Sequence, residues 1–454
     1  MELAEQKKLI DDLKKDLLPQ KFGLKGNIWV CLLLIIISVG LYAYYLQLRD
    51  GLVVTGMGDY VSWGIYISNF VFLVAVSLVG SLITAVLYLA NVHWRAPLTR
   101  IAEIIAVACI IFAGLIIIVD MGRPERMWHL FVYGRVQSPI VWDVLVVMTY
   151  MTISSLLLYF PLLPGLAYCR DHMKDIPKWQ QKMYKILALR WKGTKEQFDY
   201  VHKAIRILSI MIIPVALSIH TVTSWLFATT FRAGWDSTNF GPYFVSGAFM
   251  VGAAAVIVGM YVFSKAYKNY DKYITPDHFD KMGKLLVMLA LVYLYFNVNE
   301  YLVPAYKMKG MEGEHMKEMV SGHYAGMFWF AQIGGMILPL ILLMFKKMRK
   351  PFPIFLIAIL VVIGAWYKRY LIVIPTMLHP FVPIQEVQEK WTHYTPTWQE
   401  LSIMFACLAG ALLVITIFVR FFPILSIWEI AEERGVDLKK LNQSIEEEKN
   451  IEEN

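Results

Sequence analysis

Ten apolar runs, each close to the length of a bilayer-crossing helix, dominate this 454-residue chain and leave few folds open to it. A helix needs roughly 20 apolar residues to cross the hydrocarbon core. The runs lie near 26–48, 62–91, 98–119, 140–168, 204–228, 242–264, 283–303, 323–345, 351–375 and 398–422. In lipid every backbone polar group must be satisfied internally, and continuous runs of this length do so as helices. Composition agrees: 58% of the residues are hydrophobic, 17% are charged and the mean hydropathy is +0.53. So little charge cannot cover a water-soluble domain. The expected fold class is an all-α integral membrane protein with about ten transmembrane helices.

Three parts follow along the chain. Residues 1–25 form an arm that places Leu9, Ile10, Leu13 and Leu17 on one helical face, suited to lie on the membrane surface. Residues 26–425 form the polytopic membrane domain, and 426–454 a charged tail rich in Glu, Lys and Asn. The first apolar run carries no small-residue cleavage site, so it is expected to remain as an uncleaved span. Lys and Arg gather in the arm and in segments 92–100, 170–206, 265–285 and 346–350, which alternate with poorly basic ones. That asymmetry predicts a multi-pass membrane protein with both termini cytoplasmic. The pI near 9.0 then reflects topology, and membrane lipid, with no nucleic acid, is the expected surrounding.

Four cysteines, Cys31, Cys109, Cys169 and Cys407, are far apart, and no CxxC, CxxCH or ferredoxin spacing occurs. No glycine loop for phosphate and no HExxH is present. Only His220 is clearly inside a span, whereas a b-type haem needs two facing histidines. The expectation is no intrinsic haem, iron–sulfur cluster or metal. Redox work by such a chain would use a diffusible cofactor or the centres of a partner.

Ionisable residues collect at one set of span ends. Between the third and fourth runs, DMGRPERMWHLFVYGRVQSPIVWDV (120–144) packs Asp120, Arg123, Glu125, Arg126, His129, Arg135 and Asp143 into one turn. His220, Ser224 and Trp225 fall in the same half of the fifth run; Asp236, Glu300, His323 and Glu400 lie at span ends of the same parity. An ionisable group at membrane depth costs several kcal/mol unless paired or wet, so each is a functional candidate. Each has a plainer reading as a helix cap or a headgroup contact. Gly122 permits a sharp exit from the third helix, Pro124 stops its continuation, and Ser138-Pro139 starts the fourth. Arg123 and Arg126 are then placed to pair with Asp120, Glu125 or Asp143. An apolar slot with an acceptor for a hydroxyl and a proton exit to water is what a quinol requires. The expected site is Asp120, Asp143, His129 and His220 for quinone binding and proton exchange. Arg123, Glu125, Arg126 and Asp236 would form its charge network, and Trp142 and Trp225 its lining. The same tryptophans also suit interfacial anchoring.

GRPER (122–126) followed by SPIVWDV (138–144), with YVSWGIYISNFVF (60–72) before and SIHTVTSWLFATTFRAGWDSTNFGPYFVSGAF (218–249) after, resembles the NrfD/PsrC family of quinone-interacting membrane subunits. WRAPLTRIAEIIAVACIIFAGL and the closing RYLIVIP, YTPTWQE and FFPILSIWEI are similar to a ten-span branch, the large membrane subunits of alternative complex III. The resemblance covers about residues 50–430. It implies two four-helix bundles with extra helices and a pocket for diffusible quinone, menaquinone or ubiquinone, near the outer surface. It also implies an extrinsic ferredoxin-like iron–sulfur partner, with molybdopterin-type or cytochrome c subunits as further partners. Those relatives use a His before the GRP turn, the Asp of the WD motif and an Asp in an SWDFA-like segment. Here Asp143 matches the WD motif, Asp120 and Met121 precede the turn, and Leu226 replaces the SWDFA aspartate. The usual GWH reads Gly234-Trp235-Asp236.

The predicted function is a quinone-interacting subunit of a respiratory oxidoreductase, not catalytic alone. Two other classes compete. A secondary transporter would place polar residues at the midplane of interrupted helices; Pro214 and Pro339, the latter after Gly334-Gly335, do interrupt runs. A proton-conducting or purely anchoring subunit would need no working quinone site.

Overall fold

The computed structural model describes residues 13, 19, 23–173, 176–267, 270–382, 393–423, 425 and 427–433. Most of the arm and of the charged tail therefore lies outside the described residues. Among the described residues, ten helices are long and apolar enough to span a membrane: α1 Leu24–Asp50, α2 Ile65–Leu89, α3 Ala96–Asp120, α4 Pro139–His172, α5 Lys195–Ala228, α6 Phe240–Ala266, α7 Pro276–Lys307, α8 Ala325–Met344, α9 Pro351–Met377 and α10 Trp398–Phe421. No strand occurs among the described residues. The chain is an all-α integral membrane protein, with ten spans as expected.

Local sequence explains where these helices start. Pro97, Pro139, Pro276 and Pro351 occupy first turns, where the missing N–H is no loss. Thr194 and Thr397 cap α5 and α10 through their hydroxyls. Several helices continue beyond their apolar stretches: α5 begins at Lys195 and α7 runs from Pro276 to Lys307.

The helices pack as two rings of four. Helices α2, α3, α4 and α5 contact one another in turn, and so do α6, α7, α8 and α9. The pair α1 and α10 packs together and lies against α3 as the extra element. The α2 helix also meets α6 and α9, so it serves as the seam between bundles. Lipid supplies no hydrophobic drive between helices, so small and polar side chains do the joining. The Ser77 hydroxyl of α2 donates to the Ala106 carbonyl of α3 at 2.8 Å, and the Tyr150 hydroxyl of α4 donates to the Ser77 carbonyl at 2.7 Å. Each such bond contributes roughly 0.6 kcal/mol.

In the second bundle Gly335 of α8 and Gly364 of α9 touch backbone to backbone. A Cβ added at Gly335 would stand 2.7 Å from the Gly364 Cα. Around this contact α8 is a π-helix from Phe330 to Ile337. Pro339, which has no N–H to give, follows at once. Away from the site, Arg100 of α3 lies buried between Glu103 and Glu429. It donates to Glu429 at 3.1 Å and so ties the short helix Ile427–Glu433 to α3.

Candidate functional site

The ends of α1, α3, α5, α7 and α9 meet the starts of α2, α4, α6, α8 and α10 on one side, the Asp120 end. Gly122 leaves α3 with φ +67°, a left-handed conformation that favours glycine, and a Cβ there would strike the Leu52 side chain at 2.8 Å. The chain then runs through one-turn helices at Pro124–Arg126 and His129–Val132 before α4 starts at Pro139. Ser138 has the extended backbone of a cap, but its hydroxyl makes no capping bond; its carbonyl receives the N–H groups of Val141 and Trp142.

Asp143, in the first turns of α4, is buried, and its carboxyl meets Thr223 of α5. The Thr223 hydroxyl lies 2.6 Å from Asp143 Oδ1 and 2.7 Å from the Ile219 carbonyl. One hydroxyl proton faces two acceptors, so the pair accommodates two states. As a carboxylate, Asp143 accepts from Thr223. As an acid, it donates to Thr223, which turns its own proton to Ile219. Rotation of one hydroxyl is enough to satisfy either protonation state of Asp143.

Asp120 belongs to a second cluster, made with α1, α2 and α10. Its Oδ1 is buried with no hydrogen-bond partner among the described residues, and Glu400 and Tyr66 are its electrostatic neighbours. The Tyr66 hydroxyl donates to Gln47 at 2.7 Å, and the Gln47 amide donates to the Val119 carbonyl at 2.9 Å. Glu400 is fully buried and accepts from four groups: the Gly56 N–H at 2.8 Å, the Thr397 N–H at 2.9 Å, the Thr397 hydroxyl at 3.2 Å and the Tyr394 hydroxyl at 2.7 Å. Tyr394 in turn receives the Ile65 N–H at 2.9 Å. Outside the spans, burial and then Glu400 push the Tyr394 hydroxyl far above its ordinary pKa, so it stays a donor. The sequence signal for this knot was T-x-x-E at 397–400, a capping box.

The other expected residues are distributed differently. His220 is buried on α5, about one turn before Thr223, with both ring nitrogens unpartnered among the described residues. It faces Phe244 of the second bundle at 6.1 Å, and the Arg369 guanidinium sits over that same ring at 4.5 Å. His129 is exposed and packs edge-on against Trp128 and Tyr133. Arg123, Glu125 and Arg126 are also exposed, and no ion pair joins either arginine to Asp120, Glu125 or Asp143 among the described residues. Trp142 is half-buried, its indole N–H donating to the Val136 carbonyl, while Trp225 is 48% exposed on the outer surface of α5. Asp236 is exposed and stands at a cavity of the second bundle, away from Asp143 and Thr223. The structure thus groups Asp143 with Thr223 and Asp120 with Glu400, and separates His129 and Asp236 from both.

Sequence reasoning overlooked several of these partners. Thr223 and Gln47 gave no signal beyond lying in apolar runs. Asn69, one turn after Tyr66, is fully buried with its amide unpartnered among the described residues. Lys368 and Arg369, which interrupt the apolar run of α9, are buried inside the second bundle. The Lys368 ammonium donates to the Tyr301 hydroxyl at 2.8 Å and lies 4.2 Å from that ring's centre. No group of three or more His, Cys, Asp or Glu residues placed to hold a metal occurs among the described residues.

A family model described as "Polysulphide reductase, NrfD" matches residues 53–380, which include both bundles up to the end of α9. The chain belongs to the NrfD family. Among NrfD relatives, it is 24% identical to a selenate reductase subunit of Mesobacillus selenatarsenatis over 88% of this chain and 94% of that one. It is 26% identical to a putative dimethyl sulfoxide reductase membrane subunit of Halobacterium salinarum, over 89% and 92%. The integral membrane subunit of menaquinone reductase from Nitratidesulfovibrio vulgaris is 24% identical over 88% and 92%. The family model thus covers the eight helices of the two bundles and ends before α10.

Proposed function

We propose that this NrfD protein is the quinone-interacting membrane subunit of a multi-subunit reductase of the prokaryotic plasma membrane. The carrying observation is the buried Asp143–Thr223 pair, 2.6 Å apart at the Asp120 end of the first bundle. The relatives named as reductase membrane subunits, one of them of a menaquinone reductase, support the same reading. In this reading a quinol ring approaches Asp143 and Thr223 at the helix ends. Asp143 takes a hydroxyl proton, Thr223 keeps the acid hydrogen-bonded, and the proton leaves toward water at the helix ends. Two protons and two electrons leave each quinol oxidised to quinone; the reverse flow reduces quinone.

In this reading the electrons go to or come from an extrinsic iron–sulfur subunit at the Asp120 end, taken as the outer face with both termini cytoplasmic, which the basic-residue pattern supports. The loop after Gly122 suits such docking: Trp128, Phe131, Tyr133 and Val136 are each more than half exposed, beside Arg123, Arg126 and Arg135. Saturable quenching of a fluorescent quinol-site inhibitor by the assembled complex in nanodiscs, lost in Asp143→Asn or Asp120→Asn, is the test. Absence of binding to the wild type would overturn the reading.

One observation favours a second reading, proton conduction. Lys368, Arg369, Asn297 and Gln332 lie buried within the second bundle, where a pure anchor has no use for them.

A further inference from the structure

The connection between α4 and α5 holds a helix, Lys178–Leu187 (KWQQKMYKIL), at the end of the molecule opposite Asp120. Bonds to two spans set its level. The Tyr159 hydroxyl of α4 donates to the Leu187 carbonyl at 2.7 Å. The Tyr184 hydroxyl donates to the Phe421 carbonyl, at the close of α10, also at 2.7 Å. At 1.5 Å per residue, Tyr159 stands about 30 Å along α4 from Pro139, the thickness of a hydrocarbon core. The helix is therefore held where hydrocarbon gives way to headgroups.

At about 100° per residue its side chains divide into three faces. Gln180 and Tyr184 are buried against the protein, and the Gln180 amide donates to the Tyr184 hydroxyl at 2.9 Å. Trp179, Met183 and Ile186 form a second face. Trp179 and Ile186 are 57% and 61% exposed, although the Phe421 ring meets the indole edge-on at 5.3 Å. Lys178, Lys182 and Lys185 form the third face, and all are exposed. Beyond the helix, Leu189 and Arg190 are exposed too, whereas Trp191 is buried edge-on against Phe198 at 5.1 Å. The segment is thus clamped to the protein on one side and leaves an apolar face open on another.

Charge identifies what covers that face. Residues 178–192 carry Lys178, Lys182, Lys185, Arg190 and Lys192 and no Asp or Glu. None of these five forms an ion pair among the described residues. Asp171, which precedes the helix, is taken up by Arg170 at 2.6 Å. An acidic soluble protein would satisfy the lysines but gives no reason for Trp179 and Ile186 to stand at the hydrocarbon edge. A bilayer satisfies both faces. Acyl chains take Trp179, Met183 and Ile186, and the lysine stems reach along them to phosphate oxygens. Clustered Lys and Arg beside a span end attract anionic headgroups.

We propose that Lys178–Leu187 is an anionic-phospholipid site, an interfacial helix whose apolar face enters the leaflet at this end while its lysines gather phosphodiester headgroups. The proposal goes beyond the quinone reading and does not depend on it. Because the same helix is bonded to α4 and α10, the lipid it holds braces the ends of both.

The test places a fluorophore on Ile186→Cys in a Cys31→Ser background, the other cysteines being buried, in the assembled complex in nanodiscs. Phosphatidylcholine and phosphatidylglycerol are mixed in equal parts, and one or the other carries brominated acyl chains that quench on contact. Brominated phosphatidylglycerol is expected to quench about two-fold more than brominated phosphatidylcholine, since several basic residues enrich the anionic lipid locally. Lys178→Gln, Lys182→Gln and Lys185→Gln together should bring the two lipids to parity while quenching persists. These lysines are exposed, so the variant keeps the packing of Gln180 and Tyr184. No quenching by either lipid would overturn the proposal and show the face covered by a partner protein or by water. Equal quenching by the two lipids in the wild type would overturn the anionic assignment.

Discussion

Thr223 holds the buried carboxyl of Asp143 at 2.6 Å across the α4–α5 interface, one helix turn from a carbonyl that competes for the same hydroxyl proton. The pair is a helix–helix bond and, in the proposed function, a proton-exchange position, and the two roles separate by mutation. Asp143→Asn keeps the shape and removes the acid; it should weaken quinol-analogue binding about ten-fold or more, as expected for a hydrogen bond to a charged group. Thr223→Val leaves the acid without its partner and should lower stability by about 1–3 kcal/mol. Fluorescence titration and thermal unfolding in detergent read the two effects. Equal binding in Asp143→Asn would remove Asp143 from the site.

Glu400 joins the loop after α1 to the start of α10. Glu400→Ala orphans the Gly56 and Thr397 N–H groups together, and about 2–4 kcal/mol of stability should be lost. A melting temperature within a degree or so of wild type would show that these bonds are replaceable by water.

His315 gives a pH signature outside the spans. Burial, reinforced by His379, pushes its pKa down to about 3 from 6.5. Between those values the unfolded chain binds a proton that the folded one refuses. The contribution of neutral His315 is therefore complete above about pH 6.5 and declines as pH falls toward 3, by at most about 1.4 kcal/mol per pH unit. Unfolding midpoints of wild type and His315→Gln, compared from about pH 7.5 down to 4.5, should diverge only below 6.5, with the wild type falling faster. Parallel curves would show that the imidazole is protonated or wet in the folded protein.

Gly335→Ala and Gly364→Ala each place a Cβ against the backbone of the facing helix, at 2.7 Å for Gly335 and closer still for Gly364. Helices α8 and α9 would have to move apart. A loss of about 1–3 kcal/mol is expected, typical of overpacking. Normal stability in both variants would mean that the π-helical segment of α8 absorbs the change.

Hydropathy located every span because burial in lipid and a continuous apolar run are the same physical fact. It could not locate ends such as Lys195 or Lys307, where a helix continues into water with its charged face outward. The charged turn at 120–143 was legible as a polar concentration, but not its internal partners. Asp143 found Thr223, a residue that looks unremarkable in an apolar run. Arg123 and Arg126, expected to pair with the acids, are exposed instead and form no ion pair with them among the described residues. His220 read as part of the same group; its side chain instead faces Phe244, since the bundle a helix face meets is decided by packing and not by sequence spacing. Lys368 and Arg369 were visible as interruptions of a span, yet their aromatic and hydroxyl partners come from α6 and α7, far away in the chain.

The placement of α1 against α10 has a consequence for biogenesis. The Gly56–Glu400 bond closes a separation of 344 residues, and it cannot form until the last span has been inserted. During synthesis α1 must wait with its eventual neighbour α10 missing, while both four-helix rings can already close. Long-range closure of this kind is slow and comes late. The Asp120 end would then acquire its final shape only after α10 is inserted, so a partner protein that recognises this surface would recognise all ten spans in place.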